Sequence, residues 1–329
     1  MSSQWLLSLV EPGSVPAIVA CGTSPKNSVP VPGFLRSRSD SGAALAAIST
    51  CTSGHTPTSV HISPKRAVQA RPVLGSDEAV RGVWFRVTDP VDTGEPPLSW
   101  SFDWNMTAGI ALVPGSPAVA RSLLGVAEVM TTLDFGDRAA DVLTMLVSAE
   151  LDTRLAVDAT QLWSDGTTHQ IRVLARVCES KAGERWVRGI AYDYGVSHRP
   201  NRSPSTIGDI IASSAPAPRT CTAIVDLDTL ETLHWHGPPP DTVAWRFDEA
   251  DHRPRVHPDD DDAVQALASA TRDKSADRKE IVVRFRAPDG GYSPHTVTSL
   301  PIDLDEHGAD RPRLALVTLA ECSSGGSPS

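Results

Sequence analysis

Two breaks in the apolar patterning constrain this chain more than any other feature. Asp89-Pro90-Val91-Asp92-Thr93-Gly94-Glu95-Pro96-Pro97 forms the first, and the stretch from Ser197 to Pro218, rich in Ser and Pro, forms the second. Proline fixes φ and removes a backbone donor, so neither stretch continues a helix or a central strand. The 329 residues are cut into pieces of roughly 100, each long enough to bury a small core of its own. The expected domains are residues 1–92, 98–196 and 219–321. A tail, 322–329, follows, with almost no apolar group to bury and so expected to be disordered.

Within each piece the hydrophobic period changes in the same order: short strands, a helical region, then longer strands. In the first, Trp5 to Val10 and Ala17 to Cys21 read as strands. Ser41 to Cys51 reads as a helix with Asp40 at its N-cap, and Arg66 to Leu74 and Val80 to Val87 form a hairpin. The second opens on Trp100-Ser101-Phe102-Asp103-Trp104-Asn105, whose alternation places aromatics on a core and polar groups outside. Three- and four-residue apolar spacing predicts helix over Pro117 to Val126, Arg138 to Val147 and Leu151 to Trp163. His169 to Cys178 and Arg185 to Tyr194 then close the unit as a hairpin. The third runs Cys221 to Asp226 and Glu231 to Trp235 as strands, Asp260 to Thr271 as helix, and Lys279 to Ala287, Tyr292 to Pro301 and Arg313 to Leu319 as strands. Its Pro288-Asp289-Gly290-Gly291 turn is a strong hairpin signal. The fold class expected is α+β: three consecutive modules, each a central antiparallel sheet flanked by helices.

Composition narrows the function classes. A net charge of −10 with no Lys/Arg stripe repels phosphate backbones, so nucleic acid is not expected as a partner. Cys21, Cys51, Cys178, Cys221 and Cys322 are odd in number and form no CxxC pair, which argues against a zinc site or disulfide framework. The apolar run Trp5 to Val10 is too short to span a bilayer, and no basic region precedes it. The expectation is a cytoplasmic protein without a membrane partner.

The wording of the third unit resembles the PAS superfamily. Val256-His257-Pro258-Asp259-Asp260, a helix, Val283-Arg284-Phe285-Arg286-Ala287-Pro288-Asp289-Gly290-Gly291 and Ser299-Leu300-Pro301-Ile302 follow in the order PAS repeats use. Trp100 to Trp104 and Gly183-Glu184-Arg185-Trp186-Val187-Arg188-Gly189 resemble the first strand and late hairpin of a second such unit. The first unit is similar to GAF as much as to PAS. Together they resemble uncharacterised GAF/PAS multi-module proteins of mycobacteria and other actinobacteria. That resemblance implies a fold used for sensing ligands or for protein contacts, and supplies no catalytic residue. With no kinase, cyclase or helix-turn-helix segment beside these units, the signal is expected to leave through another protein, a second copy of the chain included. The function expected is therefore a non-enzymatic sensory, ligand-binding protein; the alternative is an interaction scaffold without a ligand.

Candidate sites divide by chemistry. Asp259-Asp260-Asp261-Asp262 offers carboxylates for a hard cation, but consecutive side chains diverge and a helix starts behind them, so capping and dipole roles fit better. His234 and His236 fall on one face of a strand, as a metal pair requires, with His252 and His257 near in sequence. No spaced cysteine or acid completes that set. Neither a Gly-x-Ser-x-Gly elbow nor a phosphate loop is present, nor is a cysteine in the setting that flavin photochemistry uses. No cofactor is indicated. Eight tryptophans fall largely in or beside predicted sheets, where packing is their ordinary role. If one sheet keeps a pocket, its lining is expected from Phe135, Ile171, Val173 and Trp186 in the second unit, or Trp235, Trp245, Val283 and Phe285 in the third. Such a pocket takes a small apolar ligand.

Overall fold

A computed structural model describes residues 4–10, 13–196, 220–274, 280–302 and 312–322. The second break, 197–218, and all but Cys322 of the predicted tail lie outside the described residues. Three antiparallel sheets are drawn from consecutive parts of the chain. The first contains β1 (Leu6–Leu9), β2 (Ala17–Cys21), β3 (Ser24–Pro30), β4 (Thr58–Ser63), β5 (Arg66–Leu74) and β6 (Val80–Thr88), in the order β3-β2-β1-β6-β5-β4. The short α1 (Val31–Leu35) and the long α2 (Arg38–Gly54) connect β3 to β4. Ser37, not Asp40, caps α2, accepting a hydrogen bond from the Asp40 N–H at 3.3 Å. Asp40 sits buried in the first turn and pairs with Arg66 at 2.7 Å.

The second sheet contains β7 (Ser99–Asn105), β8 (Ile110–Leu112), β9 (Leu123–Gly125), β10 (Leu133–Asp134), β11 (Arg154–Leu162), β12 (Thr168–Glu179) and β13 (Arg185–Val196). Its order is β10-β11-β12-β13-β7-β8-β9, with α3 (Val126–Met130) and α4 (Ala139–Val147) between β9 and β11. The third contains β14 (Thr220–Asp226), β15 (Thr232–His236), β16 (Glu280–Arg286), β17 (Tyr292–Ile302) and β18 (Leu314–Glu321), ordered β15-β14-β18-β17-β16, with α5 (Asp261–Arg272) before β16.

This architecture overturns the expectation of three helix-flanked α+β modules of PAS/GAF type. The chain is mostly β, 45% strand against 19% helix, and one of its sheets curls into a half-barrel. Two of the helices predicted in the second unit are not helices. Leu151 to Trp163 holds β11, where Leu155, Val157, Ala159 and Gln161 alternate with Arg154, Ala156, Asp158 and Thr160. A period of two runs beneath scattered small residues that satisfy three- and four-residue spacing equally well. Pro117 to Gly125 is turn, bend and the short β9, and α3 begins at Val126.

The first two sheets are stacked directly, sheet on sheet. Trp5, Leu7, Val19, Ala20, Val73 and Trp84 on one pack against Leu174, Ile190 and Tyr192 on the other, with Trp84 edge-on to Tyr192 at 6.0 Å. The approach is so close that a Cβ on Gly82 would stand 2.5 Å from Ile190 Cδ1. β7 explains why no helix intervenes. Its apolar residues Trp100, Phe102 and Trp104 point into the second core, as the alternation predicts, but its polar face does not meet water. Ser99 accepts from the Trp84 indole at 2.9 Å and the Ser101 hydroxyl donates to the Leu74 carbonyl at 2.6 Å. Asp103, 1% exposed, accepts from the Ser76 N–H and hydroxyl at 3.0 and 2.7 Å and from Arg81 at 2.7 Å. A buried carboxylate so fully bonded is a specific joint; losing one partner leaves a charge uncompensated. α2 covers the other face of the first sheet through Ala44, Ala47, Ile48 and Cys51.

The second core lies between β7, β11, β12 and β13 on one side and α3 and α4 on the other. One face of the third sheet seals it, inserting Ile224, Leu233, Ile302, Leu314 and Leu316. Leu233 reaches that face because the β14–β15 register slips between Ile224 and Val225, making Leu233 the extra residue of a bulge. Trp235, two residues on, therefore faces the opposite side of the sheet. No helix among the described residues is long and apolar enough to cross a membrane.

Candidate functional site

The free face of the third sheet carries Ala223, Val225, Trp235, Val283, Val297, Val317 and Leu319. Over it lie α5, through Val264, Leu267 and Ala268, and the irregular segment 237–257, through Val243, Ala244 and Trp245. The covers meet at Val256, which packs with Val264 and Leu267. A cavity of about 140 Å³ remains between them, lined chiefly by apolar groups. Trp245 stands edge-on to Trp235 with ring centroids 6.3 Å apart, forming an aromatic corner.

The cover is a loop because its backbone is used in a different way from a helix. Ala244 donates to the Arg286 carbonyl at 2.7 Å, Arg286 donates to that of Arg255 at 2.8 Å, and His257 to that of Arg284 at 2.8 Å. The segment thus pairs with the outer edge of β16. The Arg286 guanidinium, buried beneath it, donates to the carbonyls of Ala244, Asp251 and Arg253. One cation satisfies three carbonyls that a regular ladder would otherwise need to pair. Asp260 performs the matching task at the start of α5, accepting from the Arg284 N–H at 2.8 Å and its guanidinium at 2.9 and 2.7 Å. Those bonds pull its carboxyl down to about 2. The aspartate run is therefore joined to β16, while Asp261 and Asp262 occupy the first turn of α5 as the dipole favours.

The second sheet supplies part of the cavity wall. Gly125, Val126 and Ala127 at the start of α3 and Gly109 line it. Gly109 has φ +65°, a backbone conformation that residues with a Cβ rarely adopt, and a Cβ there would press on the Glu231 carboxylate. Glu231 pairs with Arg255, and these two are the ionisable side chains of the lining. Two lining residues hold polar atoms that are buried without a hydrogen-bond partner, the Ser299 hydroxyl and the Trp235 indole N–H. From α3, Glu128 also grips the loop. Its Oε2 accepts from Gly125 N–H at 2.9 Å and Phe247 N–H at 2.8 Å, while Arg121 donates to Glu128 Oε1 at 2.6 Å and to the Phe247 carbonyl at 2.9 Å.

Of the residues expected to line a pocket, Trp235, Trp245, Val283 and Phe285 all meet at this cavity. Phe135, Ile171 and Val173 are buried in the second core against α3, α4 and the third sheet. Trp186 lies on the face of β13 opposite Val187, donating to Glu184 at 3.3 Å beneath the Arg188 guanidinium. Sequence reasoning missed Gly109, Ala127, Ser299, Glu231 and Arg255. Only the positive-φ demand on Gly109 leaves a local trace, and a lone glycine has many other readings.

His234 and His236 face away from the cavity, into a polar cleft with Asp134, Thr131, Thr132 and Thr160. Burial, then the neighbouring His236, pushes His234 down to about 4, so it is neutral there. His252 is exposed and His257 packs edge-on to Tyr292 at 4.9 Å, so neither joins the pair. Among the described residues no group of three or more His, Cys, Asp or Glu side chains is placed to hold a metal ion.

Comparison with known proteins places the chain. Over 98% of its length and 97% of the other's it is similar to the crystal structure of an uncharacterised protein from Mycobacterium tuberculosis, at 22% identity and a TM-score of 0.80. At that identity the likeness is one of fold. An RNA-binding light-oxygen-voltage receptor overlaps 68% of this chain and 95% of its own at 9% identity and a TM-score of 0.23. The periplasmic sensory domain of the Campylobacter jejuni chemoreceptor Tlp1 overlaps 58% and 72% at 11% identity and 0.19. Scores so low bear on neither fold nor function. No curated protein matches the sequence. Residues 4–97 match the Rv3651-like N-terminal family and residues 207–321 the Rv3651-like C-terminal domain. The chain is thus similar at its two ends to the N-terminal and C-terminal domains of the Rv3651-like family.

Proposed function

We propose that this chain is a non-enzymatic, cytoplasmic ligand-binding protein of sensory type. The cavity of the third sheet takes a small apolar molecule, and its occupancy is passed on through contact with another protein. One observation carries the reading: an apolar cavity of about 140 Å³ persists between α5, the loop 237–257 and the third sheet, while the neighbouring core is closed. A lining that is chiefly apolar offers ordered water few partners, so a guest displaces little of it. The ionisable side chains of the lining are engaged with each other, which leaves no acid–base pair poised for chemistry. The wall contributed by Gly109 and α3 gives an occupant direct contact with the second sheet.

Titration of the full chain with benzene, followed by calorimetry and thermal unfolding, tests the reading. Saturable one-to-one binding and a raised unfolding temperature are expected. Ala268→Leu projects a larger side chain from α5 into the cavity and keeps helix propensity. It should remain folded and lose at least about tenfold in benzene affinity. Absence of saturable binding, or binding untouched by Ala268→Leu, would remove the cavity as the site.

A further inference from the structure

The lining also specifies what kind of molecule the cavity takes, an inference that rests on the reading just given. Size comes first. A dry cavity of about 150 Å³ holds benzene, so this one, about 140 Å³, has room for a single ring and little more. Shape points the same way, because Trp235, Trp245 and Phe285 surround the space and aromatic partners prefer edge-on or offset contact with another ring.

Charge is the second filter. Glu231 and Arg255 bond to each other, so an ionised guest would enter without a free counter-charge. Desolvating an unpaired ion costs far more than this surface returns. Polarity is the third. Ser299 is 4% exposed and Trp235 5% exposed, both line the cavity, and neither the hydroxyl nor the indole N–H has a partner. Leaving such groups unpaired costs about 1–3 kcal/mol each, a cost that one well-placed oxygen reduces. The indole only donates, whereas the hydroxyl donates or accepts.

We infer that the cavity recognises an uncharged, single-ring aromatic compound bearing one hydroxyl or carbonyl oxygen, which pairs with the Ser299 hydroxyl or the Trp235 indole N–H. Phenol adds one neutral oxygen to benzene, and benzamide matches benzoate in size without its charge, so calorimetry of the full chain at pH 7.5 separates oxygen from charge. Phenol should bind about three- to tenfold tighter than benzene, and benzoate about a hundredfold weaker than benzamide. Of Ser299→Ala and Trp235→Phe, the variant that removes the oxygen's partner should invert the first ratio, phenol falling below benzene because its hydroxyl is then buried unpaired. Ser299→Ala removes one oxygen and keeps the fold testable if Trp235→Phe disturbs packing.

Benzene binding with phenol no tighter, benzoate binding as well as benzamide, or a phenol-to-benzene ratio unmoved in both variants would overturn this inference and leave the apolar cavity in place. Failure of benzene and phenol alike would overturn both.

Discussion

The second and third sheets present the same kind of face, aromatic and β-branched side chains alternating along antiparallel strands, yet one is filled and the other is not. Against Trp100, Phe102, Ile171 and Val173 lie α3, α4 and a row of aliphatic side chains from the third sheet. Against Trp235, Val283 and Leu319 lie one helix and a loop whose backbone is committed to β16 and to the Arg286 guanidinium. A helix brings side chains down at every turn and can follow a sheet closely. A loop fixed by its own backbone bonds cannot. The difference between core and cavity is therefore made by the cover, not by the sheet.

β18 allows this comparison to be broken with two substitutions on one strand. Leu316 and Leu319 are both buried on the same strand, the first facing the closed core and the second the cavity. Leu316→Ala should cost about 3–5 kcal/mol, since the tightly packed site cannot collapse around the void. Leu319 already borders empty space and forfeits fewer contacts, so Leu319→Ala should cost about 2 kcal/mol. Denaturant midpoints at unchanged slope measure both. Equal costs would mean that the cavity closes in solution and the contrast between the two faces is not real.

How much of this was legible in the sequence depends on the range of the interactions involved. The Asp289-Gly290 hairpin, the strands of the third sheet and the four residues Trp235, Trp245, Val283 and Phe285 could be placed because local alternation and turn chemistry carry them. The sheet-on-sheet stacking could not be. Ser99, Ser101 and Asp103 look like a solvated face until their partners are found in the first unit: Trp84 on Ser99, Leu74 on Ser101, and Ser76 and Arg81 on Asp103. Ser299 and Gly109 enter the cavity only through strand register and a contact between units, for which no local pattern exists. Pocket-lining expected of Phe135, Ile171 and Val173 shows the same limit: whether a sheet face closes depends on what covers it.

pH sharpens the comparison at the other face of β15. His234 is held neutral in its cleft at about 4, against 6.5 in an unfolded chain, with His236 and Asp134 facing it. Between pH 6.5 and 4 the unfolded chain binds the additional proton, so this contribution is complete above about pH 6.5 and is lost on acidification. The loss should reach about 2–3 kcal/mol by pH 4. His234→Gln should flatten the slope of stability against pH in that window while leaving phenol or benzene binding at pH 7.5 unchanged, because Trp235 alone of the two faces the cavity. A slope identical in the variant would show that His234 is as exposed when folded as when unfolded.

The smallest effect concerns the loop itself. Glu128 is nearly buried, and one of its oxygens accepts from Phe247 N–H, 119 residues away in sequence, while its Arg121 partner holds the Phe247 carbonyl. Charged acceptors on backbone N–H groups are roughly twice as strong as neutral ones, so Glu128→Gln keeps the shape and weakens the grip. Global stability should fall by only about 1 kcal/mol, since the second core is untouched. Local opening should respond more visibly: amide exchange of Val243, Ala244 and Trp245 should speed up about tenfold, with α4 unchanged, and benzene should bind severalfold more weakly. Exchange that rises equally in α4 would place Glu128 among ordinary core supports. A rise confined to the loop would show that α3 sets how firmly the cavity is closed, which is the connection a sensory role requires.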